Sequence, residues 1–431
     1  MYRQGPAKAV RRAAPVLGFG FLWLVSPILA SDEATQGAAP RWLQLGAELR
    51  GRFEGYTGLD YSPGSDDAYY LHRLRFRTVL LPRPWLRFSF QLQDARAGGR
   101  RQPAPASAAN PFDLYETYVE IGGQNSNRWT LRTGRQGLSF GAERVIGYSD
   151  WSNVSRLFDA VRLSYQRPHA RVDWFASTLV RPDPRRFDRF RRDTQLHGIY
   201  ASFIQRGVGA RIEPYLLWKK TTGGAGLQQV WTAGARLAGP LPRSFDYEAE
   251  IDLQAGGLAG QRLRSWAGTW ILGRRLGPAQ HSPRVFLEYN LAGGNRRPGG
   301  RTQGTFDQLF PTNHSKYGIA DRIGRRNLRA ARLGLTLKPA SLWTLSFDYH
   351  SFWLLTRQDH LYSADGAPVI RNPAAGSNHV HQEINAQTAI AVTDPFEISF
   401  GYARVFPGRF LRESSPGSPI TFAFLMWRLR L

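Results

Sequence analysis

The sequence predicts an all-β fold: a transmembrane, antiparallel, up-and-down β-barrel of about 18 strands. Three observations carry this. First, a two-residue rhythm recurs from end to end. In Leu43–Glu54 (LQLGAELRGRFE), Leu43, Leu45, Ala47, Leu49 and Phe53 alternate with Gln44, Glu48, Arg50, Arg52 and Glu54. In Phe245–Gln254 (FDYEAEIDLQ), Phe245, Tyr247, Ala249, Ile251 and Leu253 alternate with Asp246, Glu248, Glu250, Asp252 and Gln254. Successive strand side chains face opposite ways, so each segment has one oily and one charged face. A charged face cannot line a dry core and must meet water. Second, short turns and long polar loops are sorted between the strand ends. Third, no segment after the N-terminal leader has the roughly 18 consecutive apolar residues of a membrane helix.

The elements follow in order. Leu71–Leu81 sets Leu74, Phe76, Thr78 and Leu80 against Arg73, Arg75 and Arg77. Trp85–Gln93 sets Leu86, Phe88, Phe90 and Leu92 against Arg87, Ser89, Gln91 and Gln93. Leu114–Ile121 sets Tyr115, Thr117, Val119 and Ile121 against Glu116, Tyr118 and Glu120. The remaining strands are predicted at Trp129–Gln136, Asp159–Gln166, Arg171–Val180, His197–Gln205, Ala210–Lys219, Gln229–Leu237, Phe245–Gln254, Arg262–Leu272, Pro283–Leu291, Leu328–Lys338, Leu342–Trp353, His381–Val392, Phe396–Val405 and Thr421–Leu431. LPRP (81–84), RPHA (167–170), RGVG (206–209), 339–341 and 393–395 are short turns. Long loops lie at 56–69, 94–111, 137–157, 182–195, 292–326 and 355–378. Such sorting is the pattern of a transmembrane barrel, with long loops outside and short turns in the periplasm. A barrel of this size is expected to enclose a water-filled lumen. Trp129, Tyr165, Trp231, Tyr289, Trp343, Trp353, Tyr402 and Trp427 suit interfacial aromatic girdles.

Composition narrows the setting. The chain has 431 residues and begins with a basic stretch (Arg3, Lys8, Arg11, Arg12), a short apolar run (Val16–Val25) and Ala30 at a cleavage position. We read residues 1–30 as a signal peptide, 31–40 as a linker and 41–431 as the barrel. No cysteine is present, which excludes a lipid-anchored cysteine and a disulfide framework. The mean hydropathy of −0.39 is compatible with a barrel, half of whose strand residues are polar. The net charge is +24, and of 57 basic residues only Lys8, Lys219, Lys220, Lys316 and Lys338 are lysine. Arginine is the better bidentate partner for carboxylate and phosphate.

Four segments resemble the bacterial alginate export family of outer-membrane proteins. They are Arg135–Leu163 (RQGLSFGAERVIGYSDWSNVSRLFDAVRL), Phe306–Asn327 (FDQLFPTNHSKYGIADRIGRRN), the strand start His381–Asn385 (HQEIN) and Gly401–Phe410 (GYARVFPGRF). They keep the family's order and span most of the mature chain. The resemblance implies an 18-stranded barrel in the outer membrane of a Gram-negative-type bacterium, passing an anionic, alginate-like polyuronate. The chain ends LMWRLRL, without the aromatic last residue common among such barrels, although Trp427, Leu429 and Leu431 keep the apolar register.

Inward arginines form the expected substrate path: Arg50, Arg52, Arg73, Arg75, Arg77, Arg87, Arg132, Arg162 and Arg332. A ladder of guanidinium groups attracts a polymer with one carboxylate per sugar. Glu48, Glu116, Glu120, Glu248, Glu250, Asp252 and Asp348 are expected as lumen partners that hold arginines in place. Arg135, Arg144, Arg156 and Asp159 join the path through the family-like stretch. Trp129, Leu131 and Thr133 set a register that points Arg135 outward, unless a bulge at Gly134 turns it in. The alternative for these four is a structural tie between loop and wall.

His379, His381 and Glu383 alternate on one predicted face but lack a tetrahedral partner set, so no metal site is expected. RRFDRFRR (185–192) fits lipid phosphate rather than nucleic acid on an exported chain. GGNRRPGGRTQG (293–304) lacks the GK[ST] ending of a phosphate cradle. No nucleophile–base constellation appears, and neither enzyme activity nor a cofactor is expected. Expected partners are an anionic polysaccharide or other anionic solute, outer-membrane lipid and lipopolysaccharide, and a periplasmic export scaffold. The alternatives are an anion-selective porin for small solutes, and an enzyme or adhesin on a barrel scaffold.

Overall fold

The computed structural model describes residues 40–101, 105–122, 128–223, 226–258, 260–277 and 282–431. The predicted signal peptide and residues 31–39 of the linker lie outside the described residues. Eighteen long strands form the wall: β1 (Leu43–Thr57), β2 (Asp67–Arg83), β3 (Leu86–Gly98), β4 (Asn110–Gly122), β5 (Trp129–Gln136), β6 (Phe158–Arg167), β7 (Ala170–Leu179), β8 (Thr194–Ile204), β9 (Arg211–Gly223), β10 (Gly226–Leu241), β11 (Phe245–Leu258), β12 (Gln261–Arg275), β13 (Arg284–Ala292), β15 (Leu328–Ala340), β16 (Trp343–Leu354), β19 (His379–Thr393), β20 (Phe396–Pro407) and β21 (Ile420–Arg430). The short strands β14 (Thr302–Gln303), β17 (Leu361–Tyr362) and β18 (Pro368–Ile370) belong to connections. Each predicted strand coincides with one wall strand, within a few residues at its ends. No helix among the described residues is long and apolar enough to cross a membrane.

Wall strands pair antiparallel with their neighbours, and β1 pairs with β21, closing the barrel. Closure leaves no unpaired edge in lipid. The alternation sets the two faces. On β1, Leu45, Leu49 and Phe53 are exposed on the outside, while Glu48, Arg50, Arg52 and Glu54 are buried on the inside. Outward aromatics cluster near the rims. The Trp129 ring lies 4.6 Å from that of Tyr165 and 5.9 Å from that of Trp174, and Trp218 stacks on Trp231 at 5.4 Å.

The long connections gather at one rim, with two exceptions. Only two positions separate β9 from β10, and two separate β11 from β12, at that rim, and Gly226 and Gly260 there adopt positive φ (80° and 77°). A larger departure concerns the lumen. Residues 137–157 and 305–327 fold inward instead of extending beyond the rim. They meet in a parallel bridge between Ile146 and Phe310, where Phe310 N–H donates to Val145 O (2.9 Å) and Gly147 N–H to Phe310 O (2.8 Å). Leu138, Phe140, Ile146 and Phe310 from these loops pack on Phe158, Phe175, Leu196 and Tyr215 of the wall. An apolar core therefore lies inside the barrel, and the lumen expected to be water-filled is crossed by packed protein.

Candidate functional site

One row of inward residues places Arg428, Arg50 and Arg73 directly opposite one another across β21, β1 and β2. Like charges so placed repel, and the first inner loop supplies what they lack. The Asp150 carboxylate lies 3.0 Å from Arg73, 3.2 Å from Arg75 and 3.7 Å from Arg428. Arg50 Nη1 donates to the Asp150 carbonyl (2.6 Å), and Arg52 Nη1 donates to that of Trp151 (2.6 Å). Ser155 Oγ also donates to the Asp150 carboxylate (3.0 Å). The arginines are buried, whereas the Asp150 side chain keeps 26% of its exposure. Burial pushes the Asp150 carboxyl up, but the surrounding Arg73, Arg75, Arg50 and Arg428 prevail and hold it well below the usual carboxylate range.

The next residues complete the clamp. Trp151 has the Arg52 guanidinium 3.7 Å from its ring centre and the His314 ring 3.8 Å from it, so these two take opposite faces. His314 belongs to the second inner loop. Asn153 Nδ2 donates to the carbonyls of His72 (2.9 Å), Arg96 (3.2 Å) and Ala108 (2.9 Å). Arg144 and Arg156, expected on the substrate path, are loop residues with structural partners. Arg144 reaches Glu288 (2.9 Å) and Glu248 (3.7 Å). Arg156 donates to the carbonyls of Gly147 (3.0 Å), Phe310 (2.7 Å) and Pro311 (3.0 Å). The second loop is held by Lys219–Asp307 (2.7 Å) and by Arg325–Asp252 (2.8 Å), a pair with no side-chain exposure.

Toward the short-turn rim, the wall arginines stay open to the lumen. Arg87, Glu120, Arg132 and Arg162 stand opposite one another across β3–β6. Arg132 donates to Glu120 (2.8 Å) and lies over Tyr118, while Arg87 is 3.9 Å from the same carboxylate. Arg162 bonds Asp173 at 2.9 Å. Arg77 is half-buried and has no ion pair among the described residues. This row sets two guanidinium groups, those of Arg87 and Arg132, around one carboxylate, while Arg162 has its own partner in Asp173. Farther round the wall, Arg332 is paired with Asp348 (2.9 Å) and Glu288 (3.3 Å).

The predicted acidic residues divide by partner. Glu48, Glu120, Glu248, Asp252 and Asp348 each pair with arginine. Glu116 instead accepts the Gly137 N–H (2.9 Å) where the first inner loop begins, and Glu250 accepts from the Tyr215 hydroxyl (2.8 Å). Asp150, Asp173, Glu288 and Arg428 were missed. Inward Glu288, between outward Leu287 and Tyr289, was legible from the alternation. Asp150, on a loop without periodicity, was not.

Arg135 and Asp159 require correction. The β4–β5 register runs unbroken through Tyr118–Gly134 and Thr117–Arg135, so no bulge turns Arg135 inward. Gly134 meets another need: its φ is 126°, and a Cβ there would fall 2.3 Å from the Thr117 carbonyl oxygen. Arg135 and Asp159 pair on the outer wall (2.9 Å), under the β7–β8 loop, where Arg135 also donates to the Asp188 carbonyl (3.2 Å). His379, His381 and Glu383, expected on one face, also separate. A register shift at Phe352/Trp353 sets His379 beside Trp353 and Ser351, while His381 and Glu383 are fully buried toward the lumen.

The β7–β8 loop carries a titratable anchor. Asp188 sits beside Asp113, Asn110 donates to both carboxylates, and Asp188 N–H donates to Asp113 (3.1 Å). Burial, aided by Asp113 and opposed by the Asp183 N–H and Arg135, pushes the Asp188 carboxyl up to about 7. The folded state thus binds this proton more tightly, and the anchor weakens as pH rises from the ordinary aspartate value of 3.8 through 7. A nitroxide at Arg189→Cys, in the otherwise cysteine-free chain, is expected to be immobilised at pH 5 and mobile at pH 8. Equal mobility would contradict this anchor.

Comparison with known proteins agrees with this architecture. A family model described as alginate export matches residues 41–421. No curated protein matches by sequence. Solved Pseudomonas aeruginosa barrels are similar in fold. OccK3 (OpdO) has a TM-score of 0.59 at 13% identity, covering 90% of this chain and 95% of its own. OccK8 (OprE) has a TM-score of 0.60 at 9% identity, covering 90% and 98%. OccK2 (OpdF), solved in complex with glucuronate, has a TM-score of 0.58 at 9% identity, covering 90% and 98%. With its wall closed from β1 to β21 and the family match running from just before the first strand into the last, the chain belongs to the alginate export family and is an outer-membrane channel.

Proposed function

We propose that the channel conducts an anionic polysaccharide of the polyuronate class, outward, from a periplasmic export scaffold docked at the short-turn rim. The observation that carries this reading is the open arginine group of the vestibule: Arg77 without an ion pair among the described residues, and Arg87 and Arg132 sharing Glu120. Guanidinium groups spaced along a wall attract successive carboxylates, and the shared Glu120 keeps each contact weak enough for release. Family membership favours a polymer. The glucuronate complex of OccK2 shows a uronate bound to a barrel of similar fold.

A second reading, a channel for small anions, is favoured by the two inner loops and the apolar core that narrow the lumen. Planar-bilayer recording separates the two. Both require anion selectivity; only the first requires block of the current by added oligouronate. Charge reversal in Arg77→Glu/Arg87→Glu is expected to move the reversal potential toward the cation side. An unchanged potential would remove these arginines from the conduction path, and a cation-selective wild type would overturn both readings.

A further inference from the structure

The β7–β8 loop, residues 180–193, does not project from the rim. It is laid against the outside of the barrel. Its residues Phe187 and Asp188 line a groove of about 590 Å³ with outward Leu92 and Leu114, Phe112, and the Arg135–Asp159 pair. Farther along, Phe190 and Arg192 cover outward Thr133, Val161, Ala176 and His197. The wall beneath is polar at Thr133, Arg135, Asp159 and His197, just where the lipid-facing band ends at the long-loop rim. The loop thus sits at headgroup height.

Its outer surface has a specific chemistry. Arg185, Arg186, Arg189, Arg191 and Arg192 are all exposed. Arg186 turns back to Asp183 (2.6 Å), but Arg185, Arg189 and Arg191 have no ion pair among the described residues. Between them, Phe187 and Phe190 stay 57% and 56% exposed. A loop facing only water gains nothing from two bare phenylalanines. Beside a lipid-facing wall, they can enter the acyl layer while arginines stay at the phosphates. Guanidinium groups bind phosphate oxygens in bidentate fashion, and several on one short segment match a lipid bearing more than one phosphate.

We propose that residues 185–192 form a docking site for a multiply phosphorylated lipid of the outer leaflet. Arg185, Arg189 and Arg191 take its phosphates, and Phe187 and Phe190 enter its acyl layer. The Asp188 anchor holds the segment flat against the wall. This site is separate from the lumen and does not depend on what the channel conducts.

Native mass spectrometry of the delipidated full-length barrel tests this, titrating bisphosphorylated lipid A, its dephosphorylated form and phosphatidylglycerol. The wild type is expected to prefer the bisphosphorylated lipid. Arg185→Gln/Arg189→Gln/Arg191→Gln is expected to bind it about tenfold more weakly, with the heat-modifiable gel shift confirming a folded barrel. Phe187→Ser/Phe190→Ser, which keeps every charge, is also expected to weaken binding. Equal binding of the dephosphorylated lipid or phosphatidylglycerol by the wild type would overturn the proposal. So would an unaffected arginine variant. Displacement by inorganic phosphate alone, together with an unaffected phenylalanine variant, would mean a free-anion site and overturn lipid docking.

Discussion

Asp150→Asn is expected to raise single-channel conductance about threefold and to admit larger neutral solutes, because it releases an electrostatic clamp from the lumen. Five buried guanidinium groups, Arg50, Arg52, Arg73, Arg75 and Arg428, crowd this wall, where Glu54 pairs with Arg52 and Glu48 with Arg73. Asp150 adds a carboxylate from the inner loop to this cluster. Each hydrogen bond to a charged group contributes about 1.5–3 kcal/mol. The neutral amide retains shape but loses the charge that offsets the Arg428–Arg50–Arg73 row. The three Asn153 bonds persist, so the segment should hinge away rather than unfold. Asp150→Glu should leave conductance near the wild-type value. The same geometry sets a pH expectation. A carboxyl depressed in the folded state contributes its full stabilisation above the ordinary value of 3.8 and loses it only as pH falls through the lower folded value. Wild-type conductance should therefore stay level from pH 8 to pH 4. A variant that conducts like wild type would show that the loop is held without this charge.

This clamp also marks the boundary of what the sequence made legible. The alternation in Leu43–Glu54 assigned the outside and the inside residue by residue, because strand geometry converts position directly into facing. It identified Arg50, Arg52, Arg73 and Arg75 as inward but not what they bind. Their partners come from a loop about 100 positions away, whose inward path has no sequence period. The ladder read as a uniform path thus divides. The members near β1 and β2 mid-strand hold the Asp150 segment, and Arg77, Arg87 and Arg132 remain open to the lumen. Arg135 shows the reverse case. The outward register read from Trp129, Leu131 and Thr133 was correct, and the bulge invoked at Gly134 to place the arginine in the lumen does not occur. A covering loop makes an outward ion pair tolerable there.

Arg325→Met is expected to destabilise the packed lumen by about 3–5 kcal/mol, the cost of leaving a buried charge without its partner. Arg325 and Asp252 have no side-chain exposure, and they join the second inner loop to β11 at 2.8 Å. Asp252 would retain the Tyr215 hydroxyl, which also serves neighbouring Glu250. One phenol cannot replace a guanidinium between two buried carboxyl groups. Arg325→Met/Asp252→Leu should recover part of the loss, since a buried ion pair and an apolar pair of similar volume are often close in stability. The readout is the temperature at which the barrel loses its heat-modifiable migration in detergent, treated as a rate because barrel unfolding need not reverse. An unchanged temperature in Arg325→Met would mean that the pair does not hold the loop. Combining Arg325→Met with Asp150→Asn gives the sharper result. The two inner loops share the Ile146–Phe310 bridge and the Trp151–His314 stack, so release of one loosens the other. The double variant should therefore lose less stability than the two single losses added together, and that deficit measures the coupling between the loops.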